Sequence, residues 1–343
     1  MKPPRISITI PTHNRCEKLR RTVRLFANEV LRAGVEKDVE ILISDNCSPD
    51  DTPDVASSLV REFPQVAIRC QRHQQNIGAS ANFVSCYNGA RGDFVWLFSD
   101  DDIPFPGCLT RILAALAEHS PCALLFSFVQ PPKSKLKTFD FPESVHLERD
   151  PEKCAKLLVF YLKISIYVLK RIPLDDASIA HLLELQRIAP AYGWAALGIE
   201  VFAAAPQSPV AVISEPLAGC DDEFITSLNW EPFNWKAEAT VFDHPFLKAN
   251  APALYRDREK WTYSMALFFF WSWRSGSMTI KKPLEPLWWQ ALSQFPCKWG
   301  WVFPGFYGPI QLLALKFGPQ NLPWLLVQFR RWLKSFRKGQ TAI

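Results

Sequence analysis

The chain has 343 residues, enough to bury a sizeable core in one large domain or two ordinary ones. Its 48% hydrophobic and 21% charged residues are those of an ordinary soluble globular protein, with no repeat and no low-complexity tract. The net charge of +5 is uneven: residues 1–130 carry 14 Lys+Arg against 15 Asp+Glu, whereas residues 254–343 carry 13 against 3 and hold 9 of the 13 Trp.

The elements alternate. Residues 5–11 (RISITIP) read as a buried strand, and 16–33 as a helix with Leu19, Val23, Phe26, Val30 and Leu31 on one face, stopped at Gly34. Residues 39–44 are a second strand. A helix runs from Asp51-Thr52-Pro53 to about Phe63, with Pro53 near its first position. Residues 66–71 are a third strand, 79–90 a helix, 93–98 a fourth strand, 107–118 a helix and 122–129 strand-like. The stretch QPPKSKLK reads as an exposed loop. Residues 153–171 suggest a helix followed by a strand, 178–205 are helical in parts, and VAVIS is strand-like before a turn, EPLAGC. Strands alternating with helices predict an α/β fold with a doubly wound, mostly parallel sheet.

Nine cysteines without a CxxC pair point to reduced thiols in a cytosolic protein rather than to zinc or disulfides. The N-terminal apolar run of five residues is too short for a signal peptide. No span of about 18 apolar residues occurs; the nearest, Trp299 to Phe317, is broken by Pro304, Pro309 and three glycines. The basic, Trp-rich C-terminal quarter suits an anionic membrane surface. On a helix, Leu325, Leu326, Phe329, Trp332, Leu333 and Phe336 share a face opposite Arg330, Arg331, Lys334, Arg337 and Lys338. No nucleic-acid-binding motif accompanies the basic residues, so nucleic acid is not expected as a partner.

Four polar clusters follow the four strands: Thr12-His13-Asn14-Arg15, Ser44-Asp45-Asn46, Asn76-Ile77-Gly78 and Ser99-Asp100-Asp101-Asp102. Carboxyl ends of strands are where open α/β sheets bind ligands. Three adjacent carboxylates repel one another, so something must neutralise them. Adjacent strand-end Asp residues suit Mg²⁺ or Mn²⁺, which take oxygen ligands and share substrate phosphates. The competing role is a loop in which Asp102 caps the helix beyond the prolines. Asp45 is placed to accept from a base N–H or ribose hydroxyl, or to form the Asx turn of DNCSPDD. Thr12 and Asn14 are candidates for base or ribose and Arg15 for phosphate, while Asn76 and Gly78 permit close backbone approach.

The stretches ISITIPTHNR, ILISDNCSPDDT, NIGASANF and GARGDFVWLFSDDDIPFPG together resemble the family 2 glycosyltransferases of GT-A fold. They are most similar to bacterial enzymes of surface-polysaccharide assembly, including abequosyltransferase-like ones. The resemblance covers about residues 5–125. It implies a nucleoside-diphosphate sugar donor, a divalent metal (Mg²⁺ or Mn²⁺) and inversion at the anomeric carbon. It places Thr12, Asn14 and Asp45 at the nucleoside and the run Asp100, Asp101 and Asp102 at the metal and diphosphate; Arg15, Asn76, Gly78, Asn82 and Asp100 complete the expected nucleotide-sugar site. Two departures stand out: Ala81 where an Arg often precedes the Asn, and Tyr192-Gly193-Trp194 where an acidic motif commonly supplies the base. Glu184, Glu200, the run Asp221-Asp222-Glu223 and His181 are the other candidates; Asp222 ranks first and Glu200 second.

The sequence thus leads to a metal-dependent hexosyl- or deoxyhexosyltransferase acting on a lipid-linked or polysaccharide acceptor. Residues 1–130 are expected to bind the nucleotide sugar, 131–250 the acceptor, and 251–343 the inner face of the cytoplasmic membrane as a peripheral, helical extension. The alternatives are a catalytically impaired nucleotide-sugar-binding protein and a sugar-nucleotide pyrophosphorylase. The latter wants a Gly-rich phosphate loop after strand one, and PTHNRCEK has no Gly.

Overall fold

The strand Ile6–Thr12 (β1) is buried along its whole length. A continuous apolar run of this kind belongs to a strand covered on both faces, and β1 lies between two parallel neighbours, Val39–Asp45 (β2) and Phe94–Leu97 (β4). The computed structural model describes residues 3–129, 139–160, 163–188, 193–220 and 239–258. All of them belong to one compact unit, Met1–Phe224 with Lys236–Thr262. The predicted QPPKSKLK loop, Asp221–Glu223 and all of the basic C-terminal region beyond residue 258 lie outside the described residues.

Ala67–Arg72 (β3) extends the parallel sheet beyond β2. The connecting helices fall where the sequence periodicity puts them: α1 at Cys16–Ala33, α2 at Thr52–Glu62, α3 at Ala79–Gly89 and α4 at Cys108–His119. In α1, Leu19, Val23, Phe26 and Val30 are buried, and Gly34 ends the helix at φ 64°. Phe26 meets Trp96 and Phe98 edge-on, at ring separations of 5.2 and 4.7 Å, and Trp96 meets Phe126 at 5.5 Å. The aromatic run ahead of the three aspartates is therefore the packed floor beneath them.

The sheet order is β3-β2-β1-β4-β8-β6-β9-β5, with β7 paired to β9. The second half is mixed rather than parallel. Tyr167–Lys170 (β8) runs antiparallel to both β4 and Ala123–Val129 (β6). Val210–Cys220 (β9) is parallel to β6, and the short strands Asp102–Pro104 (β5) and His146–Glu148 (β7) pair antiparallel with it. Helices α5 (Pro151–Phe160), α6 (Asp176–Ile188) and α7 (Gly193–Ala204) complete this half. Contrary to expectation, EPLAGC is not a turn: it continues β9. Pro216 sits where the β6–β9 register shifts, a kind of sheet position that tolerates a missing N–H.

Among the described residues no helix is long and apolar enough to cross a membrane.

Candidate functional site

The chain winds from β1 out to β3 and returns to β4 on the other side of β1. The order reverses between β1 and β4, and such a switch point opens a crevice at the carboxyl ends of the strands. The Thr12–Arg15 cluster and the aspartate run stand on either side of it.

Asn14 and Cys47 both have left-handed backbones, at φ 55° and 59°, just beyond β1 and β2. For non-glycine residues that conformation costs about 1–2 kcal/mol each, so the surroundings must enforce it. Side chains of the β2–α2 loop do so. The Asn14 amide donates to Ser48 Oγ at 2.8 Å, the Arg15 amide to Thr52 Oγ1 at 3.3 Å, and the Cys16 amide to Asp50 Oδ2 at 3.3 Å. This clamp aims Arg15 across the crevice. Its Nη1 lies 2.9 Å from Asp100 Oδ1 and 3.0 Å from Asp101 Oδ2.

Every oxygen of the three carboxylates has a donor. Thr12 donates to Asp100 Oδ2 at 2.7 Å and Ser99 to Asp101 Oδ1 at 2.6 Å. Asp102 accepts from Ser165 Oγ at 2.5 Å and from Lys163 Nζ at 3.2 Å. Lys18 Nζ stands 4.0 Å from Asp101 Oδ2. Thr22, nearly two turns into α1, donates to the Asp100 and Asp102 carbonyls and pins the backbone of the run. Arg15, Lys18 and Lys163 thus answer the charge of the three carboxylates. Burial pushes the Asp100 carboxyl up to about 6 against the pull of Arg15. Burial raises Asp102 as well, against the pull of Lys163.

Among the described residues no group of three His, Cys, Asp or Glu is arranged to hold a metal ion. Asp100 and Asp101 nevertheless offer oxygen donors of the hard kind that Mg²⁺ and Mn²⁺ prefer. Their shared cation, Arg15, is 44% exposed. Asp102 has no exposure and is wedged between Ser165 and Lys163, so it fits a metal only if Lys163 leaves.

The loops after β2 and β3 carry a second cluster of polar side chains. Asp45 is buried, and its Oδ1 accepts from the Ser48 amide at 2.9 Å. Its Oδ2 lies 3.2 Å from Arg72 Nε yet makes no hydrogen bond. This carboxylate oxygen, at the tip of β2, is ion-paired but not hydrogen-bonded and so keeps acceptor capacity. Asn46 Nδ2 donates to Asn76 Oδ1 at 2.9 Å and Asn46 Oδ1 accepts from the Ile77 amide, which ties the second strand-end loop to the third. Asn76 Nδ2 reaches His13 Nε2 at 3.2 Å. Gly78 has φ 86°, open to glycine without strain. Asn82 sits behind this surface, bonded to the Ser44 hydroxyl and carbonyl and to His73.

Residues 7–158, less than half of the chain, match the model of Glycosyl transferase family 2. This segment is a family 2 glycosyltransferase domain. Its relatives include abequosyltransferase RfbV of Salmonella typhimurium, 35% identical over 97 residues that make up 28% of each chain. A GalNAc(5)-diNAcBac-PP-undecaprenol beta-1,3-glucosyltransferase of Campylobacter jejuni is 28% identical over 110 residues, 32% of this chain and 34% of that one. The chain thus spans about a third of the length of these curated relatives. Residues 1–349 of S. aureus TarS, solved in complex with UDP-GlcNAc, superpose with a TM-score of 0.58 at 16% identity, over 84% of this chain and 79% of that one. That likeness shows a shared GT-A fold.

Hydrogen bonds tie the strand-end cluster of β1 to those of β2 and β4, and the cluster of β2 to that of β3. The base candidates do not join them so clearly. Glu200, on α7, pairs with His244 at 3.4 Å. Glu184 is exposed and bonded to Arg187, and His181 is exposed on the same helix. Asp222 and Tyr192 lie outside the described residues. Sequence reading missed Lys163, Ser165, Thr22, Ser48 and Lys18. None carries a local signal; only the antiparallel placement of β8 brings residues 163 and 165 to the aspartates.

Proposed function

We propose that this chain transfers a sugar from a nucleoside-diphosphate sugar to a hydroxyl of a lipid-linked or polysaccharide acceptor, with inversion, in the assembly of a cell-surface glycan. The observation that carries this reading is the crevice itself. A family 2 domain there sets a spare buried acceptor at Asp45 opposite an aspartate run bound to Arg15. The named activities of the two curated relatives agree with it.

In this mechanism Asp45 accepts from the base or ribose, with Thr12, Asn14, Asn76 and Gly78 shaping the nucleoside pocket, and Asn82 holding Ser44 behind it. Arg15 faces the diphosphate. Asp100 and Asp101 would hold Mg²⁺ or Mn²⁺. A cation bound there would neutralise charge on the departing diphosphate. The acceptor hydroxyl attacks the anomeric carbon from the face opposite the diphosphate and gives its proton to a carboxylate, for which Asp222 is our first choice and Glu200 our second. Residues 1–130 form the donor half and 131–250 the acceptor half. The basic, Trp-rich residues 251–343 dock the enzyme on the cytoplasmic face of the membrane, where a lipid-linked acceptor lies.

The test is a thermal-shift screen of nucleotide sugars with and without Mn²⁺, followed by transfer of the labelled sugar of the best binder to a membrane lipid extract. Stabilisation by one base class and label in the lipid fraction are expected. Stabilisation by no nucleotide sugar refutes the reading.

A further inference from the structure

β8 runs antiparallel to β4, with Phe94 opposite Lys170 and Trp96 opposite Val168. The residues that lead into β8 therefore arrive at the end of the sheet where β4 delivers its aspartates. They form a 3-10 turn, Ile164–Ile166, preceded by Lys163. Three bonds fix this turn to the aspartate loop and its floor. Ser165 Oγ donates to Asp102 Oδ2, the Ser99 amide donates to Ser165 Oγ at 3.0 Å, and Trp96 Nε1 donates to the Ser165 carbonyl at 2.8 Å. Lys163 is thus mounted on rigid backbone. Its Nζ is 3.2 Å from Asp102 Oδ1 and 4.6 Å over the Phe128 ring, and the side chain is still a quarter exposed.

Asp102 is fully buried and the lysine is not. A buried carboxylate paired with a partly exposed ammonium is an arrangement for holding the ammonium in one place. Arg15 reaches the run from the β1 side, through Asp100 and Asp101. Lys163 reaches it from the β8 side, through Asp102. The two cations flank the aspartates at the switch-point crevice.

We propose that Lys163, positioned by Asp102, is a substrate-binding cation of this enzyme and contacts the diphosphate of the donor from the flank opposite Arg15. The inference rests on the transferase reading above and adds a residue to it. In the transfer step the bond between the anomeric carbon and the diphosphate oxygen breaks and its electron pair stays on that oxygen. The acceptor oxygen forms the new bond, and its proton goes to the base. Lys163 keeps its own proton and donates a hydrogen bond to the oxygen on which negative charge grows, in a site where fixed donors act most strongly. The cation is therefore supplied partly by the chain itself, and Asp102 serves as its counter-ion.

The experiment is isothermal titration of the full chain with nucleoside diphosphates and the matching monophosphates (UDP and UMP, GDP and GMP, CDP and CMP, dTDP and dTMP), in EDTA and in Mn²⁺. For the base that binds, wild type should prefer the diphosphate. Lys163→Met should lose roughly ten- to a hundred-fold in diphosphate affinity, the range of a charge-assisted hydrogen bond, with under about twofold change for the monophosphate. Lys163→Arg should retain most of the preference. Because Lys163→Met strands a buried carboxylate, the double variant Lys163→Met/Asp102→Asn, which buries no lone charge, is melted and titrated beside it. It should fold and show the same loss. An unchanged ratio of diphosphate to monophosphate affinity in either folded variant overturns the role of Lys163 and leaves the transferase reading standing. Failure of wild type to bind any of these nucleotides overturns both.

Discussion

Replacing Asp45 by Asn tests the nucleoside side of the crevice with little change of shape. Alanine would be a poor choice. It would remove the acceptor for the Ser48 amide, and Ser48 in turn holds the amide of Asn14. Asparagine keeps that oxygen and changes only the atom that makes no hydrogen bond, Oδ2. The stability cost is confined to the contact with Arg72, which is 51% exposed, so it should stay under about 1 kcal/mol. The effect on ligand is larger. A donor group of the nucleoside loses a charged acceptor and meets an NH₂ instead, a penalty of about 1.5–3 kcal/mol, or roughly 10- to 150-fold in donor affinity. In the proposed assignment Asp45 serves the nucleoside and stands away from the breaking bond, so the loss should appear in donor KM and in Kd by calorimetry, with kcat changed by less than about threefold. Unchanged donor affinity with collapsed turnover would move Asp45 into the chemistry. No change in either would remove it from the site.

Three other perturbations follow from the same structure. Asp101→Ala should abolish transfer and weaken Mn²⁺-dependent donor binding while the melting temperature is kept; full activity of that variant in EDTA would refute its assignment. Glu40 is buried, which pushes its carboxyl up, but Arg69, the Ser7 hydroxyl and the Arg91 amide outweigh burial and hold it below the usual range. Its contribution is therefore present above the unfolded value of about 4.3 and lost as pH falls through the lower folded value, so Glu40→Gln should lower stability at pH 7 and flatten its acid dependence in urea titrations. Ending the chain at Pro323 should abolish sedimentation with anionic liposomes at low salt, and a full chain that stays in the supernatant would sink the docking idea.

Much of the donor half was legible because its signals are local. A strand buried on both faces reads as an unbroken apolar run, and the helices between show one apolar face closed by Gly34 or opened by Pro53. The second half was less so. β5 and β7 are three residues each, too short for any periodicity to show. Pro216 and Gly219 made the end of β9 look like a turn, because whether a proline interrupts a sheet depends on what its neighbour strand does, which no local window contains. Arg15 was found because it follows β1 directly. Lys163 lies 61 residues beyond Asp102, and only the reversed direction of β8 puts the two together. Asn82 was readable as polar at a helix start but not as bonded back to Ser44, since the closing distance depends on how α3 packs on β2.

The three amides of residues 14–16, captured by Ser48, Thr52 and Asp50, tie two neighbouring loops into a single hydrogen-bonded jaw. Such a jaw gives up little conformational freedom when it closes on a guest, so more of each contact appears as affinity. It also separates recognition from architecture. Side chains facing the guest can be exchanged to suit a different base or sugar while the jaw keeps its shape. Changes at Ser48 or Thr52, which need touch no ligand, should instead degrade recognition of every guest alike.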